Sequence, residues 1–249
     1  MSNDTYCWAL SKMLVGMQGS FLGGNVMGQT KLKAKDGFEA GAYEHIPEAN
    51  PKGGIVVLQE IFGVNPHMRA VVDAYGAAGY AAIAPQIFDR VEADVELGYT
   101  EQADFDKGLR IAFQDMEMAN TLSDIQAAVD EMSQFGKVGV VGYCFGGLLT
   151  WMSACTMDNV SAAVSYYGGG ISGEASRVAL CPVMMHFGDK DAHIPLADVD
   201  IIKSAQPEVD VFVYDADHGF NCDDRASYDE KSALRAKSRS LDFFATHLA

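Results

Sequence analysis

The chain has 249 residues, 49% of them hydrophobic, and a formal net charge of −16. That suffices for the full core of one α/β domain, while the sign of the charge and the lack of any Lys/Arg cluster argue against a nucleic-acid-binding surface. Five widely spaced cysteines (7, 144, 155, 181 and 222), with no Cys-x-x-Cys, argue against a disulfide framework or structural zinc and fit a reducing, cytoplasmic compartment.

Residues 1–26 are rich in Gly, Ser and Met and show no sustained period. They lack the basic start of a secretory signal, so they read as an N-terminal extension outside a single domain at 27–249. No apolar run approaches the ~18 residues of a membrane span. Polar/apolar alternation begins near Gln29 and continues from Phe38 to Tyr43 as an antiparallel edge strand. Gly54–Gln59 is a buried strand ending at Glu60. Pro66 to Ala78 has helical spacing, with Asn65 as N-cap and Pro66 at the first helical position. Tyr80–Ala84 is a further strand, and Pro85–Phe105 an irregular acidic excursion over the site. A long amphipathic helix from Met116 to Phe135 stops at Gly136.

The stretch Val138-Gly139-Val140-Val141-Gly142-Tyr143-Cys144-Phe145-Gly146-Gly147 then reads as strand, tight turn and helix with a thiol at the apex. This is the nucleophile-elbow pattern with Cys in place of Ser. The flanking glycines let strand and helix approach, and the helix N-terminus favours a thiolate. A buried, inert Cys in an ordinary turn is the competing reading. Strands follow at 161–166, 182–187 and 209–214, helices at 196–205 and 226–248. Strands and helices alternate throughout, which predicts a mostly parallel sheet with helices on both faces.

Ligands in such sheets bind beyond the carboxyl ends of the strands. Glu60, Cys144, Asp191 and His218 all fall there, and nucleophile, acid, histidine is the chain order of α/β-hydrolases. His218 can act as base toward Cys144 and Asp191 can hold its tautomer. Asp189 competes with Asp191, and His193 with His218. The other histidines (45, 67, 186 and 247) read as structural or exposed.

At these residues the chain resembles the dienelactone hydrolase family of the α/β-hydrolase fold, over essentially Met27 to Ala249. The resemblance rests on Gln59-Glu60-Ile61-Phe62-Gly63, Asn65-Pro66-His67, Gly79-Tyr80, Ala84-Pro85, the elbow with Gly147, Tyr166-Tyr167-Gly168, Gly188-x-x-Asp191 and His218-Gly219-Phe220. It implies a Cys144–His218–Asp191 triad and a Glu60 that contacts the resting thiol and can take its proton. A salt bridge from Glu60 to Arg69 or Arg90 is the alternative. The oxyanion hole would be the N–H groups of Ile61 and Phe145. The resemblance also implies a carboxylate clamp of two arginines and a substrate site including Arg90, Phe62, Phe88 and Arg225. Arg90 matches one arginine, but Cys222 stands where the second is expected, with Arg225 a possible replacement from the next turn. A neutral or singly clamped ester is therefore at least as fitting as a dienelactone carboxylate.

The leading expectation is a hydrolase of small activated esters or lactones, with no cofactor and no metal, forming an acyl-thioester on Cys144 and promiscuous toward phosphotriesters. The competing classes are a redox-sensing or ligand-binding thiol protein without turnover, and a Cys-dependent glyoxalase/amidase type, which places His directly after Cys where Phe145 stands here. Expected partners are small molecules only, with no nucleic acid or membrane. No heptads or interface patch are readable, so a monomer or weak homo-oligomer is expected.

Overall fold

A computed structural model describes residues 25–249. The strands are β1 (Val26–Lys33), β2 (Glu39–Ile46), β3 (Gly54–Leu58), β4 (Ala81–Pro85), β5 (Val138–Tyr143), β6 (Val160–Tyr166), β7 (Val183–Gly188) and β8 (Asp210–Tyr214). They form one sheet in the order β1-β2-β4-β3-β5-β6-β7-β8. β1–β2 and β2–β4 pair antiparallel, and every later pairing is parallel. This is the mostly parallel sheet expected from the alternation of elements, in the α/β-hydrolase arrangement that the resemblance implies.

The central strands explain themselves. β3 is Gly-Ile-Val-Val-Leu and is buried at every position, as a parallel strand covered on both faces requires. Ile55 and Val57 face one core with Met68 and Val72 of α1 (Pro66–Ala77) and Phe243 and Phe244 of α6 (Glu230–His247). Val56 and Leu58 face the other with Ile125, Val129 and Met132 of α3 (Met118–Met132). Each fully buried Val, Ile or Leu contributes roughly 1.5–3 kcal/mol. The start of α1 follows the sequence: Asn65 Oδ1 accepts the Met68 N–H at 3.1 Å, and Pro66 occupies the first turn.

Two expectations change. The strand expected at the edge, β2, lies one place in, because β1 pairs along its full length and takes the edge. The excursion after Pro85 ends in a helix, α2 (Gln102–Arg110), prolonged by a π-helical turn at Ile111–Asp115. Its polar composition and central Gly108 hide it, although Phe105, Leu109 and Phe113 recur at the four-residue step of one helical face. The extension read at 1–26 lies outside the described residues except for Asn25 and Val26, and Val26 already pairs with Ile46. Among the described residues no helix is long and apolar enough to cross a membrane.

Candidate active site

The chain runs from β3 outward to β4 and returns to β5 on the other side of β3. That reversal opens a crevice at the carboxyl ends of β3 and β5, and the loops bearing Glu60 and Cys144 leave the sheet there. β5 ends at Tyr143, and α4 (Phe145–Thr156) begins one residue after Cys144. Cys144 itself has φ 54° and ψ −114°, a conformation that costs a non-glycine residue energy. The glycines hold it there. A Cβ on Gly142 would stand 2.0 Å from the Gly146 carbonyl oxygen, and one on Gly146 would stand 2.4 Å from that of Leu58.

The loops after β7 and β8 bring up the next two groups. His218 Nδ1 lies 2.7 Å from Asp191 Oδ2. Asp191 Oδ1 accepts the N–H groups of His193 and Ile194 at 2.8 and 3.1 Å, which locks the carboxylate in one pose. Burial opposes ionisation of Asp191, but His218 and the two amides prevail and hold its pKa below the usual carboxylate value. Burial likewise opposes charge on His218, yet the Asp191 and Cys144 side chains beside it push its pKa up to about 10. With Nδ1 committed to Asp191, Nε2 is the nitrogen left to exchange protons. Asp189 is exposed and outside this arrangement. The His193 ring stands 5.3 Å from that of His218 at the cavity wall.

Glu60 is fully buried. Its partner is neither Arg69, which pairs with Glu96, nor Arg90, but Arg225, whose Nη1 stands 3.3 Å from Glu60 Oε1. Glu60 Oε2 and the Tyr167 hydroxyl are buried with no partner among the described residues, and no hydrogen bond joins Glu60 to Cys144. Arg225 folds back because its N–H bonds the Cys222 carbonyl at 3.1 Å. Its guanidinium lies over the Phe62 ring and so close to Gly219 that a Cβ there would be 2.6 Å away. Burial, then Glu60, pushes the Cys222 thiol up to about 12.

Arg90 and Phe88 require correction. Arg90 Nε and Nη2 each donate to Asp124 at 2.7 Å, and Nη1 donates to Asp36 at 2.7 Å. Two carboxylates consume the fork, and Arg90 does not line the catalytic cavity. Phe88 is 1% exposed and packs in the core on the α3 side of the sheet. The motif placed both residues correctly along the chain but carried no information on side-chain direction.

The cavity encloses about 300 Å³ and is lined by Ile61, Phe62, Phe105, Leu109, Phe113, Cys144, Phe145, Leu148, Gly169, Gly170, His193, His218 and Arg225. Phe105, Leu109, Phe113 and Leu148 escaped the sequence reading; the four-residue step in α2 and the π turn was their available signal. A Cβ on Gly108 would stand 2.2 Å from the Ile61 carbonyl oxygen, so α2 rests directly on the loop bearing Ile61. The Ile61 and Phe145 N–H groups donate to no other loop or turn carbonyl among the described residues. The result is an apolar chamber with a thiol at its floor, a histidine–carboxylate pair beside it and two open donors.

Residues 40–248 match the model of the dienelactone hydrolase family. A carboxymethylenebutenolidase of Pseudomonas putida is 32% identical over 224 residues, which is 86% of this chain and 94% of that protein. A Synechocystis protein provisionally named as a carboxymethylenebutenolidase is 36% identical over 214 residues, 78% of this chain and 86% of its own. Among solved structures, a Klebsiella pneumoniae protein provisionally named as a dienelactone hydrolase superposes with TM-score 0.80 at 29% identity, covering 89% of this chain and 99% of that one.

Proposed function

Since the chain belongs to the dienelactone hydrolase family and is a hydrolase acting on ester bonds, we propose that it cleaves small activated esters or lactones, without a cofactor, through an acyl-thioester on Cys144. The observation that carries this reading is the strained Cys144 at the floor of an apolar cavity, beside a His218 that is held by Asp191.

Cys144 Sγ gives up its proton to His218 and attacks the substrate carbonyl carbon, forming a C–S bond while the carbonyl π pair moves to oxygen. The Ile61 and Phe145 N–H groups receive that oxyanion, a contact that strengthens only as charge develops. Collapse re-forms the carbonyl and breaks the C–O bond, and His218 returns its proton to the leaving oxygen. A water then gives a proton to His218 and attacks the thioester. Collapse of that second intermediate breaks the C–S bond and releases the acid, and the thiolate recovers the proton from His218. Glu60, with one oxygen uncommitted, is a second proton acceptor for the resting thiol.

The chemistry of the wall favours neutral substrates. With Arg90 tied to Asp36 and Asp124, the cavity keeps a single arginine, Arg225, and Glu60 already offsets its charge. Among the described residues no second arginine completes a bidentate clamp, and apart from Cys144, His193 and His218 the remaining wall is apolar. An activated phosphotriester presents the same kind of electrophile and leaving group, so slow turnover of that class belongs to this reading.

The test is single-turnover kinetics with p-nitrophenyl acetate and butyrate, with mass spectrometry on the quenched protein. A burst of p-nitrophenol, an acyl adduct on Cys144 and its decay at the steady-state rate are expected. Turnover with no adduct on Cys144 would sink the covalent mechanism, and an adduct that never decays would favour a non-catalytic thiol. The ratio of kcat/KM for neutral esters to that for a dienelactone carboxylate tests substrate class separately. A preference of several orders of magnitude for the carboxylate would overturn the neutral reading and leave the mechanism standing.

A further inference from the structure

Among the described residues β8 is the last strand of the sheet, with no neighbour on its outer side. A groove of about 380 Å³ runs between it and α6 and shares no lining residue with the catalytic cavity. One wall carries Lys231, Arg235 and Arg239, which recur every four residues along α6 and therefore share a face. In a chain of net charge −16, none of the three forms an ion pair among the described residues.

Two carboxylates also line the groove: Asp215, 2.5 Å from Lys190 Nζ, and Asp229, which accepts the Ser232 N–H at 2.8 Å. Arg239 is half-buried and held in place. Its guanidinium carbon lies 3.8 Å over the Phe212 ring, and Nη1 donates to the Tyr214 hydroxyl at 2.9 Å. Its other N–H groups have no partner among the described residues. Val211, Phe212, Val213 and Tyr214 of β8 line the opposite side, with Val213 38% exposed at the sheet edge.

We propose that this groove between β8 and α6 is a second, non-catalytic binding site for a small organic anion with a planar apolar body, an aryl carboxylate or aryl phosphate. The cationic face of α6 takes the oxyanion and the edge of β8, where Val213 is exposed, takes the ring. A guanidinium already ordered by an aromatic ring loses little freedom when an oxyanion reaches it. The site is also local relief from a protein-wide field that repels anions.

Calorimetric titration of the full chain with benzoate and phenyl phosphate tests this, with benzamide and inorganic phosphate as controls. Both aryl anions should bind, more weakly as salt rises, and at least tenfold tighter than either control. Lys231→Ala/Arg235→Ala changes two exposed residues and should weaken the aryl anions at least tenfold while leaving p-nitrophenyl acetate turnover unchanged. Val213→Ser should weaken them severalfold with no change in Tm. If phenyl phosphate binds tighter than benzoate beyond their charge difference, the natural ligand is the phosphate; the reverse order selects the carboxylate. The proposal is overturned if neither aryl anion binds at millimolar concentration or if the double variant binds as well as the parent. Inorganic phosphate matching phenyl phosphate would overturn the role of the β8 edge.

Discussion

On the sheet side of the catalytic cavity, Cys144, Asp191 and His218 leave the ends of β5, β7 and β8 after at most four residues. On the opposite side, Phe105, Leu109 and Phe113 hang from a helix and π turn in the long connection between β4 and α3. The first group is placed by backbone constraints: a positive φ at Cys144, glycines that admit no Cβ, and a carboxylate fixed by two amides. The second is placed by docking of side chains and by the contact of Gly108 with Ile61. In the proposed reaction, chemistry that tolerates little displacement would sit on the sheet, and selectivity on the part that can be repacked.

The comparison is tested most severely at the sheet side. Cys144→Ala should lower ester turnover by at least about 10³-fold with Tm within a few degrees of the parent, since it removes the proposed nucleophile and relieves no packing. Comparable turnover in the purified variant would place the nucleophile elsewhere. His218→Ala should slow acylation and deacylation by roughly 10²–10⁴-fold and let acyl-Cys144 accumulate on quenching. The same residue sets a pH signature. Its folded pKa, raised to about 10, exceeds the unfolded value of about 6.5. The stability it contributes is therefore complete below about pH 6.5 and is lost as pH rises toward 10. Denaturant midpoints between pH 6 and 10 should fall in the parent and flatten in His218→Ala.

The boundary between the two sides is Gly108. Gly108→Ala puts a methyl where the Ile61 carbonyl stands, so either α2 lifts or the Ile61 N–H turns away. A kcat loss of roughly 10–10²-fold with KM changed less than threefold would mark the Ile61 N–H, the proposed oxyanion donor, as the part that moved. A change confined to KM would mean the helix yields and the hole does not.

Smaller effects belong to the arginines. Arg225→Met should alter kcat/KM for neutral esters by less than tenfold, and should reduce any activity on carboxylate-bearing lactones further than that, because it removes the cavity's single arginine. Arg90→Ala should leave both activities within twofold. It should nonetheless destabilise the fold by about 2 kcal/mol, because Asp124, with its side chain 1% exposed, loses its counter-ion. A specificity change in Arg90→Ala would put that residue back in the site.

What could be read in advance divides along the same line. The run Val138–Tyr143 followed by Gly-x-Cys-x-Gly states its geometry locally, because strand, strain and close approach are all decided within a few residues. The cap at Asn65-Pro66 is equally local. Arg90 was misread because its direction depends on Asp124, 34 residues away on α3. Glu60 met an arginine as its alternative reading allowed, but that arginine is Arg225, 165 residues further on and brought back by a turn at Cys222. Helix α2 escaped because its surface is polar and only a narrow apolar stripe declares it. Long-range partnership of charges leaves no periodic trace in a sequence.

Gly108 also sets terms for engineering. The three side chains Phe105, Leu109 and Phe113 project from one face of a scaffold whose seat on the Ile61 loop depends on a residue with no side chain. A combinatorial library at those three positions, with Gly108 held constant, varies the shape of the cavity without touching the seat of the Ile61 loop. A library that includes position 108 mixes two phenotypes, altered substrate range and lost rate, in the same clones. The glycine is in that sense a partition between the side chains that shape the cavity and the loop on which they rest.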